Sequence, residues 1–103
     1  MKVVWTEQAY ARLAEIYDFV GADSPEAAER LIDKLEARAN SLERFPESGR
    51  RIPELSGSEL RELIEGNYRI VYRNRKDRVE VVTVFEGHQL FPIADLATED
   101  QLS

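Results

Sequence analysis

Apolar residues recur with two different periods along this chain. Between residues 7 and 42 they return every three or four positions, which is the spacing of helices that pack on a core. Between residues 59 and 85 much of the chain instead alternates at every second position, which is typical of strands. The pattern predicts a helical half followed by a sheet half, with a short first strand from Lys2 to Trp5.

The helical half divides into two helices joined by a short connection. Thr6 is a suitable N-cap for the first helix, which should end at Gly21. Ser24-Pro25 marks the start of the second helix, and Phe45-Pro46 marks its end. The two predicted core faces are Ala9, Leu13, Ile16, Tyr17 and Val20 on the first helix, and Ala28, Leu31, Ile32, Leu35, Ala39 and Leu42 on the second.

The sheet half is centred on a hairpin from Glu59 to Tyr72, whose two alternating segments flank a Gly66-Asn67 turn. One face of this hairpin should pack on the core, and the other carries arginines. A loop from residue 47 to residue 57 precedes it. Val79 to Phe85 has apolar residues at both parities, which predicts a central strand buried on both faces.

These elements predict one domain spanning residues 1–103. The order is β-α-α-β-β-β, an α+β class in which an antiparallel helical hairpin packs on a small, mainly antiparallel sheet. Residues 93–103 contain no Lys or Arg and form an acidic C-terminal tail. Two states are open for this tail, a short helix or a disordered segment.

Charge and composition narrow the possible functions. The net charge is −6, which argues against general electrostatic binding of nucleic acid, but residues 48–78 hold eight basic and five acidic groups. There is no cysteine, so thiol catalysis and thiolate metal sites are excluded. No cofactor or metal is expected, and the absence of a long apolar run predicts a cytoplasmic protein without a membrane partner.

The motifs, in this order, resemble the toxin superfamily of type II toxin–antitoxin modules that contains RelE and ParE. The similarity spans nearly the whole chain and rests on four segments. They are Val4-Trp5-Thr6, Ser24-Pro25 with Ala27-Ala28, Phe45-Pro46 with Gly49-Arg50, and Glu59-Leu60-Arg61-Glu62-Leu63 with Asn67-Tyr68-Arg69-Ile70-Val71-Tyr72. Together they favour the ParE-like branch of bacterial plasmid stabilisation proteins.

The resemblance implies a toxin that is neutralised by a cognate antitoxin within a hetero-oligomer. It leaves two activities open. RelE-like members cut messenger RNA on the ribosome, whereas ParE-like members poison DNA gyrase without a known catalytic residue of their own. A third hypothesis is an inactive member that retains antitoxin binding, which we place on the helical hairpin and the sheet edge.

If the chain is an enzyme, it should be a metal-independent endoribonuclease, and the candidate catalytic residues are Arg61, Arg69 and His88. Such cleavage needs a proton acceptor, a proton donor and cations near the phosphate. Arg69 matches an arginine that nuclease members direct at phosphate, although ParE-like members share it, and a cross-strand pair with Glu62 is an equal alternative. His88 is the sole histidine, but Gln89 follows it where the resemblance leads one to expect arginine or tyrosine.

The wider candidate surface for a target or a phosphate consists of arginines in and beside the hairpin, namely Arg50, Arg51, Arg61, Arg69 and Arg73. The hairpin lacks the lysines of RelE-like nucleases and carries Glu62 and Glu65 instead, which would repel phosphate. We therefore expect a contact surface for a topoisomerase such as gyrase rather than a nuclease site. Ribosome and messenger RNA are the alternative partners.

Overall fold

The computed structural model describes residues 1–96. Strand β1 (Lys2–Trp5) leads into helix α1 (Glu7–Gly21) and helix α2 (Pro25–Asn40), which a 3₁₀ turn (Ser41–Glu43) extends. The remaining elements are β2 (Arg50–Arg51), β3 (Arg61–Glu65), β4 (Tyr68–Asn74) and β5 (Arg78–Glu86). Residues 93–96 form a helical turn. The predicted α+β class is confirmed. The structure has one strand more than predicted, β2, which lies in the segment predicted as a loop.

The helix starts follow from their caps. The Thr6 hydroxyl accepts the amide hydrogen of Ala9 at 3.1 Å, and the Ser24 hydroxyl accepts that of Ala27 at 3.2 Å. Each bond satisfies an amide that the first helical turn leaves without a partner. Helix α2 ends at Asn40, before the predicted end at Phe45-Pro46, because the chain tightens into the 3₁₀ turn there.

The five strands form one sheet in the order β1-β5-β4-β3-β2. Strand β1 runs parallel to β5, and the other neighbours are antiparallel. The hairpin turns at Gly66, whose φ of +58° is a conformation that glycine adopts without strain. The prediction of a central β5 is confirmed, since β1 and β4 flank it.

The helical hairpin covers the inner face of the sheet. Its core joins Leu13, Leu35 and Leu42 to Leu63, Ile70 and Tyr72 of the sheet, with Val79, Val81 and Val84 from β5. Leu31, Ile32 and Ile16 are half-buried at its margin. The prediction that Tyr17 belongs to the buried face of α1 is wrong, because 39% of this residue is exposed.

The outer face of the sheet is also covered, by residues 52–60 and 91–96. The outer cluster consists of Ile52, Leu60, Val71, Val82, Phe85 and Leu96, with Leu55 and Phe91 packed against it. The arginines of this face therefore lie among apolar side chains. Of the predicted tail, residues 93–96 belong to this cover, and residues 97–103 lie outside the described part of the chain.

Candidate functional site

Arg69 lies at the centre of the outer face of the sheet. Strand β4 positions its side chain beside two aromatic rings that pack edge to face on each other, with the guanidinium carbon 5.1 Å from the centre of Phe85 and 5.4 Å from that of Phe91. Its terminal nitrogens donate to the two carboxylate oxygens of Glu54 at 2.8 and 2.7 Å. Its Nε donates to Glu62 at 2.7 Å. The cation is thus surrounded by aromatic faces and carboxylates, and the Glu62 pair named as an alternative is present.

Glu62 connects two arginines from different strands. Its side chain is fully buried, and its second oxygen accepts a hydrogen bond of 2.8 Å from Nε of Arg50. A buried carboxylate is stable only when its charge is compensated, and Arg50 and Arg69 provide that compensation. The Arg50–Glu62 pairing also explains strand β2, which the sequence placed within a loop, because Arg50 lies opposite Glu62 in the β2–β3 ladder.

The ion pairs change the proton affinities of this cluster. The hydrogen bonds from Arg69 lower the pKa of Glu54 from its ordinary value of 4.5 to about 2. The same bonds, with those to Glu62, raise the pKa of Arg69 above its ordinary value despite the opposing effect of burial. Near neutral pH both Arg69 and Glu54 are therefore ionised. Neither Arg69 nor Glu54 is suited to exchange a proton there.

Arg61 is held on the other side of β3. Its guanidinium donates to the carbonyl oxygen of Gly49 at 2.8 Å and lies 3.9 Å from the carboxylate of Glu47. The Gly49 amide in turn donates to the Tyr72 hydroxyl at 2.9 Å, and that hydroxyl donates to the Pro46 carbonyl at 2.8 Å. These bonds attach the segment before β2 to the sheet, so Arg61 has a structural role. It lies next to the arginine cluster, by which we mean Arg50 and Arg69 with Glu54 and Glu62.

The remaining predicted arginines differ in exposure. Arg51 is exposed and donates to the carbonyl oxygen of Ser58 at 2.8 Å, within the segment that covers the outer face. Arg73 is buried, with 8% of its surface exposed, and follows Tyr72 on β4 opposite Glu80. Of the five predicted arginines, Arg69 and Arg73 are therefore buried and Arg61 is part-buried. Arg50 and Arg51 extend into solvent.

His88 lies in the turn after β5, with 84% of its side chain exposed. Its Nδ1 is 2.7 Å from a carboxylate oxygen of Glu86, and its backbone amide donates to the same oxygen at 2.9 Å. The hydrogen bond from the His88 backbone amide is the main cause that lowers the pKa of the Glu86 carboxyl, and the contact with the His88 ring adds to it. Gly87, between the two residues, lies close to Arg69, because a Cβ at Gly87 would be 3.5 Å from Arg69 Cδ. The His88 ring itself is exposed and lies against Glu86.

Two residues that organise this site were missed from the sequence. Glu54 lies in the predicted loop, fifteen positions from Arg69, and nothing in the local pattern marks it as a partner. Asp95 is in the acidic tail, yet it is buried and accepts hydrogen bonds from Arg12 at 2.7 and 3.1 Å and from Thr83 at 2.8 Å. The sequence signal that this part of the tail packs on the protein was the presence of apolar Phe91 and Leu96 close to Asp95.

Two further features of the described residues concern metal binding and the membrane. Residues 1–96 contain no group of three or more His, Cys, Asp or Glu side chains arranged to hold a metal ion. None of the helices in this part of the chain has the length and apolar character needed to cross a membrane.

The surface of the helical hairpin exposes large apolar side chains. Tyr10 is 56% and Phe19 is 83% exposed, and Tyr17 lies between them on α1. A shallow groove of about 380 Å³ runs between α1 and α2, with Tyr10, Tyr17 and Ile32 among its lining residues. A second groove of about 350 Å³ lies between the end of α1 and the end of β5. Concentrated apolar exposure of this kind is typical of protein contact surfaces.

Two sequence relatives carry the names of toxins. One from Sinorhizobium fredii, named "Putative toxin Y4kP", is 36% identical over 91 residues, covering 88% of this chain and 93% of that protein. The toxin RelE2 of Caulobacter vibrioides is 44% identical over 63 residues, covering 61% of this chain and 67% of that protein.

Two solved structures share the fold. The chromosomal ParDE toxin–antitoxin system from P. aeruginosa contains a chain that superposes with a TM-score of 0.71 at 22% identity, covering 84% of this chain and 95% of its own length. A chain of the RelBE2 toxin–antitoxin complex from Mycobacterium tuberculosis gives a TM-score of 0.57 at 18% identity, covering 82% and 88%. At these identities the likeness concerns the fold.

The family model of the ParE toxin of the type II toxin–antitoxin system parDE matches residues 3–91. This range includes the helical hairpin, every strand of the sheet and the arginine cluster. The chain therefore belongs to the ParE toxin family of type II toxin–antitoxin systems, within the RelE/ParE superfamily.

Proposed function

We propose that this toxin is held inactive by a cognate antitoxin and, when free, acts by binding a topoisomerase such as DNA gyrase. The observation that supports a binding role over RNA cleavage is that the guanidinium of Arg69 is already occupied by carboxylates of the same chain. Its three donor nitrogens are directed at Glu54 and Glu62, and the rings of Phe85 and Phe91 lie against its guanidinium. A phosphate could reach this cation only by displacing Glu54.

Charge around the cluster supports the same proposal. Catalytic stabilisation of a phosphate needs cations that are already aimed at the position where negative charge develops. Here Arg50 and Arg69 are aimed at Glu62, and Arg61 at the Gly49 carbonyl. Negative groups occupy the positions at which a polyanionic substrate would have to bind, so its entry would be electrostatically unfavourable.

The alternative is a RelE-like ribosome-dependent messenger RNA endonuclease. One observation favours it, the exposed His88 ring 2.7 Å from the Glu86 carboxylate, because a carboxylate beside an imidazole can orient it for proton transfer. In this alternative His88 would work with Arg61 and Arg69 after Glu54 had moved away. An inactive member that keeps antitoxin binding is the third candidate.

Antitoxin binding is proposed on the helical hairpin and the adjoining sheet edge, in a toxin–antitoxin hetero-oligomer. The exposed side chains of Tyr10 and Tyr17 form an apolar surface beside the groove between α1 and α2, and Phe19 is exposed on the opposite side of α1. An antitoxin that buried this surface would gain about 25 cal/mol for each Å² of apolar area removed from water. Such burial is suited to a stable complex within the cytoplasm.

Controlled expression in a susceptible bacterium tests the proposed target. We expect filamentation, DNA damage and intact messages, and the same result for His88→Ala, because that side chain is exposed and its loss should leave the fold unchanged. Rapid loss of translation with cut messages, abolished by His88→Ala, would overturn the proposal in favour of the nuclease. The absence of any growth defect would leave antitoxin binding as the remaining function.

A further inference from the structure

The sheet carries a group of basic side chains where β4 ends and β5 begins. The strand register places Lys2 beside Arg78 and Arg73 opposite Glu80. Because Val79 packs in the inner core, Arg78 and its cross-strand neighbour Lys2 point to the outer face. We call this group the distal basic patch, and it comprises Lys2, Arg73, Arg75, Lys76 and Arg78 with the carboxylates of Asp77 and Glu80.

Glu80 holds two arginines of the distal basic patch in place. Its carboxylate accepts hydrogen bonds from Nε of Arg75 at 3.1 Å and from Nε and a terminal nitrogen of Arg78 at 3.1 and 2.8 Å. The Glu80 side chain is 11% exposed, against 32% for Arg75 and 37% for Arg78. The carboxylate therefore lies inside, and the two guanidinium groups are already positioned toward solvent before any anion arrives.

The distal basic patch is positive in an acidic chain. Its five cations and two carboxylates give it a charge of +3, whereas the whole chain has a charge of −6. Arg73 is four positions beyond Arg69 on β4, about 13 Å along the strand, so the patch is separate from the arginine cluster. A local excess of positive charge can orient a polyanion on the protein, while the acidic remainder keeps general binding to nucleic acid weak.

The composition of the distal basic patch favours a phosphate backbone over a protein partner. Residues 73–78 are all polar, with the sequence Arg-Asn-Arg-Lys-Asp-Arg, whereas the centres of protein interfaces are rich in apolar and aromatic side chains. Residues 73–80 contain no aromatic ring on which an unpaired base could stack, which argues against a single strand. Arg, Lys and Asn side chains are common contacts of duplex phosphates.

We infer that the distal basic patch binds the phosphate backbone of duplex DNA held by the topoisomerase to which the toxin binds. This inference rests on the proposed function and adds a contact between the toxin and the DNA. Arg75 and Arg78 supply the positioned cations, and Lys2 and Lys76, both exposed, lie beside them. The contact is independent of DNA sequence, because phosphates carry no base information.

Binding of the purified toxin to gyrase, with and without a bound DNA duplex, tests this contact. The double variant Lys2→Gln, Lys76→Gln removes two exposed charges and leaves the bonds of Glu80 intact. We expect it to bind the gyrase–DNA complex about 10-fold more weakly at about 0.1 M salt. The slope of log affinity against log salt should fall by about two, one for each lost phosphate contact. Binding to gyrase without DNA should be unchanged.

Arg30→Gln, Lys34→Gln is the control, because it removes the same charge from exposed positions of α2, on the other face of the sheet. It should change the ratio of the two affinities by less than about 2-fold, since solvent screens charges that are remote from the phosphates.

Proximity to DNA is tested with Lys76→Cys, which introduces a single thiol into a chain without cysteine. In the gyrase complex this variant should form a disulfide with a duplex that carries a thiol tether. Lys34→Cys, with its thiol on α2, should not.

The outcomes separate this contact from the proposed function. If the toxin binds gyrase in neither state, the proposed function fails and this inference fails with it. If gyrase is bound, but Lys2→Gln, Lys76→Gln keeps its affinity for the DNA complex and Lys76→Cys forms no cross-link, only the DNA contact is wrong. If a single-stranded RNA of the same length competes for the patch better than the duplex does, the partner is RNA and the inference is overturned.

Discussion

The carboxylate of Glu54 binds both terminal nitrogens of Arg69, at 2.8 and 2.7 Å, across the outer face of the sheet. The pair joins the segment before β3 to the middle of β4. It also occupies the guanidinium edge that would otherwise be available to a phosphate. The most characteristic arginine of the sequence therefore stabilises the fold in this structure.

This pair should make stability dependent on acid pH. Its pKa of about 2, against an ordinary value of 4.5, means that folded Glu54 binds protons less readily than unfolded Glu54. The stabilisation is thus complete above about pH 4.5 and is lost as the pH falls toward 2. Because 43% of the Glu54 side chain is exposed, solvent screening limits the effect to about 1 kcal/mol.

Glu54→Gln tests this directly in urea denaturation measured from pH 7 to pH 2. The native chain should be more stable than the variant at pH 7, and the difference should shrink across the acid range. A difference that stays constant with pH would show that the Glu54 charge is not responsible.

Removal of Glu62 should be more damaging. Its side chain is fully buried between Arg50 and Arg69, and Glu62→Ala would leave the buried Arg69 with one carboxylate in place of two. We expect a loss of about 3 kcal/mol in the free energy of unfolding, since breaking one side of a buried ion pair leaves an uncompensated charge.

Glu65→Ala is the control for the Glu62 variant, because Glu65 is on the same strand but is part-exposed and lies 3.8 Å from Arg38. This change should cost less than about 0.5 kcal/mol. Equal losses for the two variants in guanidinium denaturation would contradict the central role of Glu62.

Gly49 should not tolerate a side chain. A Cβ at this position would lie 2.6 Å from the Glu62 carbonyl oxygen and 2.6 Å from a ring carbon of Tyr72. Gly49→Ala must therefore displace β3 or the tyrosine, at a cost of about 2 kcal/mol or more. In Gly21→Ala the new Cβ would be 3.5 Å from that of Ala28, an ordinary contact, so thermal unfolding should show little change. A stable Gly49→Ala protein would refute the packing described for Tyr72.

Asp95 should hold residues 91–96 against the sheet. Asp95→Asn weakens its bonds to Arg12 and Thr83, and we expect faster amide exchange in residues 91–96 and a loss of about 2 kcal/mol. Glu15→Gln removes only the exposed Arg12 contact and should leave that exchange unchanged. Unaltered exchange in Asp95→Asn would mean that apolar packing alone holds the segment.

The sequence predicted the parts of this fold that depend on local pattern. The caps at Thr6 and Ser24, the Gly66 turn and the central position of β5 follow from neighbouring residues, and the structure contains them all. Strand β2 was missed because two residues carry no periodicity. Its pairing depends on Glu62, twelve positions away from Arg50.

The candidate site was less predictable for a related reason. The sequence identified Arg69 but not its partner Glu54, because the two meet only through the tertiary fold. It identified neither Arg12 nor Asp95, which form the second buried pair. A charge count over residues 48–78 suggested a basic surface. Burial of Arg69 and Arg73, and the ion pairs of Arg50 and Arg69 with Glu62, changed that interpretation.

The proposed target is tested most directly by a pair of assays on one preparation of the purified toxin, freed from its antitoxin. One measures DNA supercoiling and cleaved DNA with gyrase, and the other measures message cleavage in a reconstituted translation system. We expect inhibition of gyrase, intact messages, and the same result for His88→Ala. Cleavage of ribosome-bound messages with gyrase unaffected would contradict it.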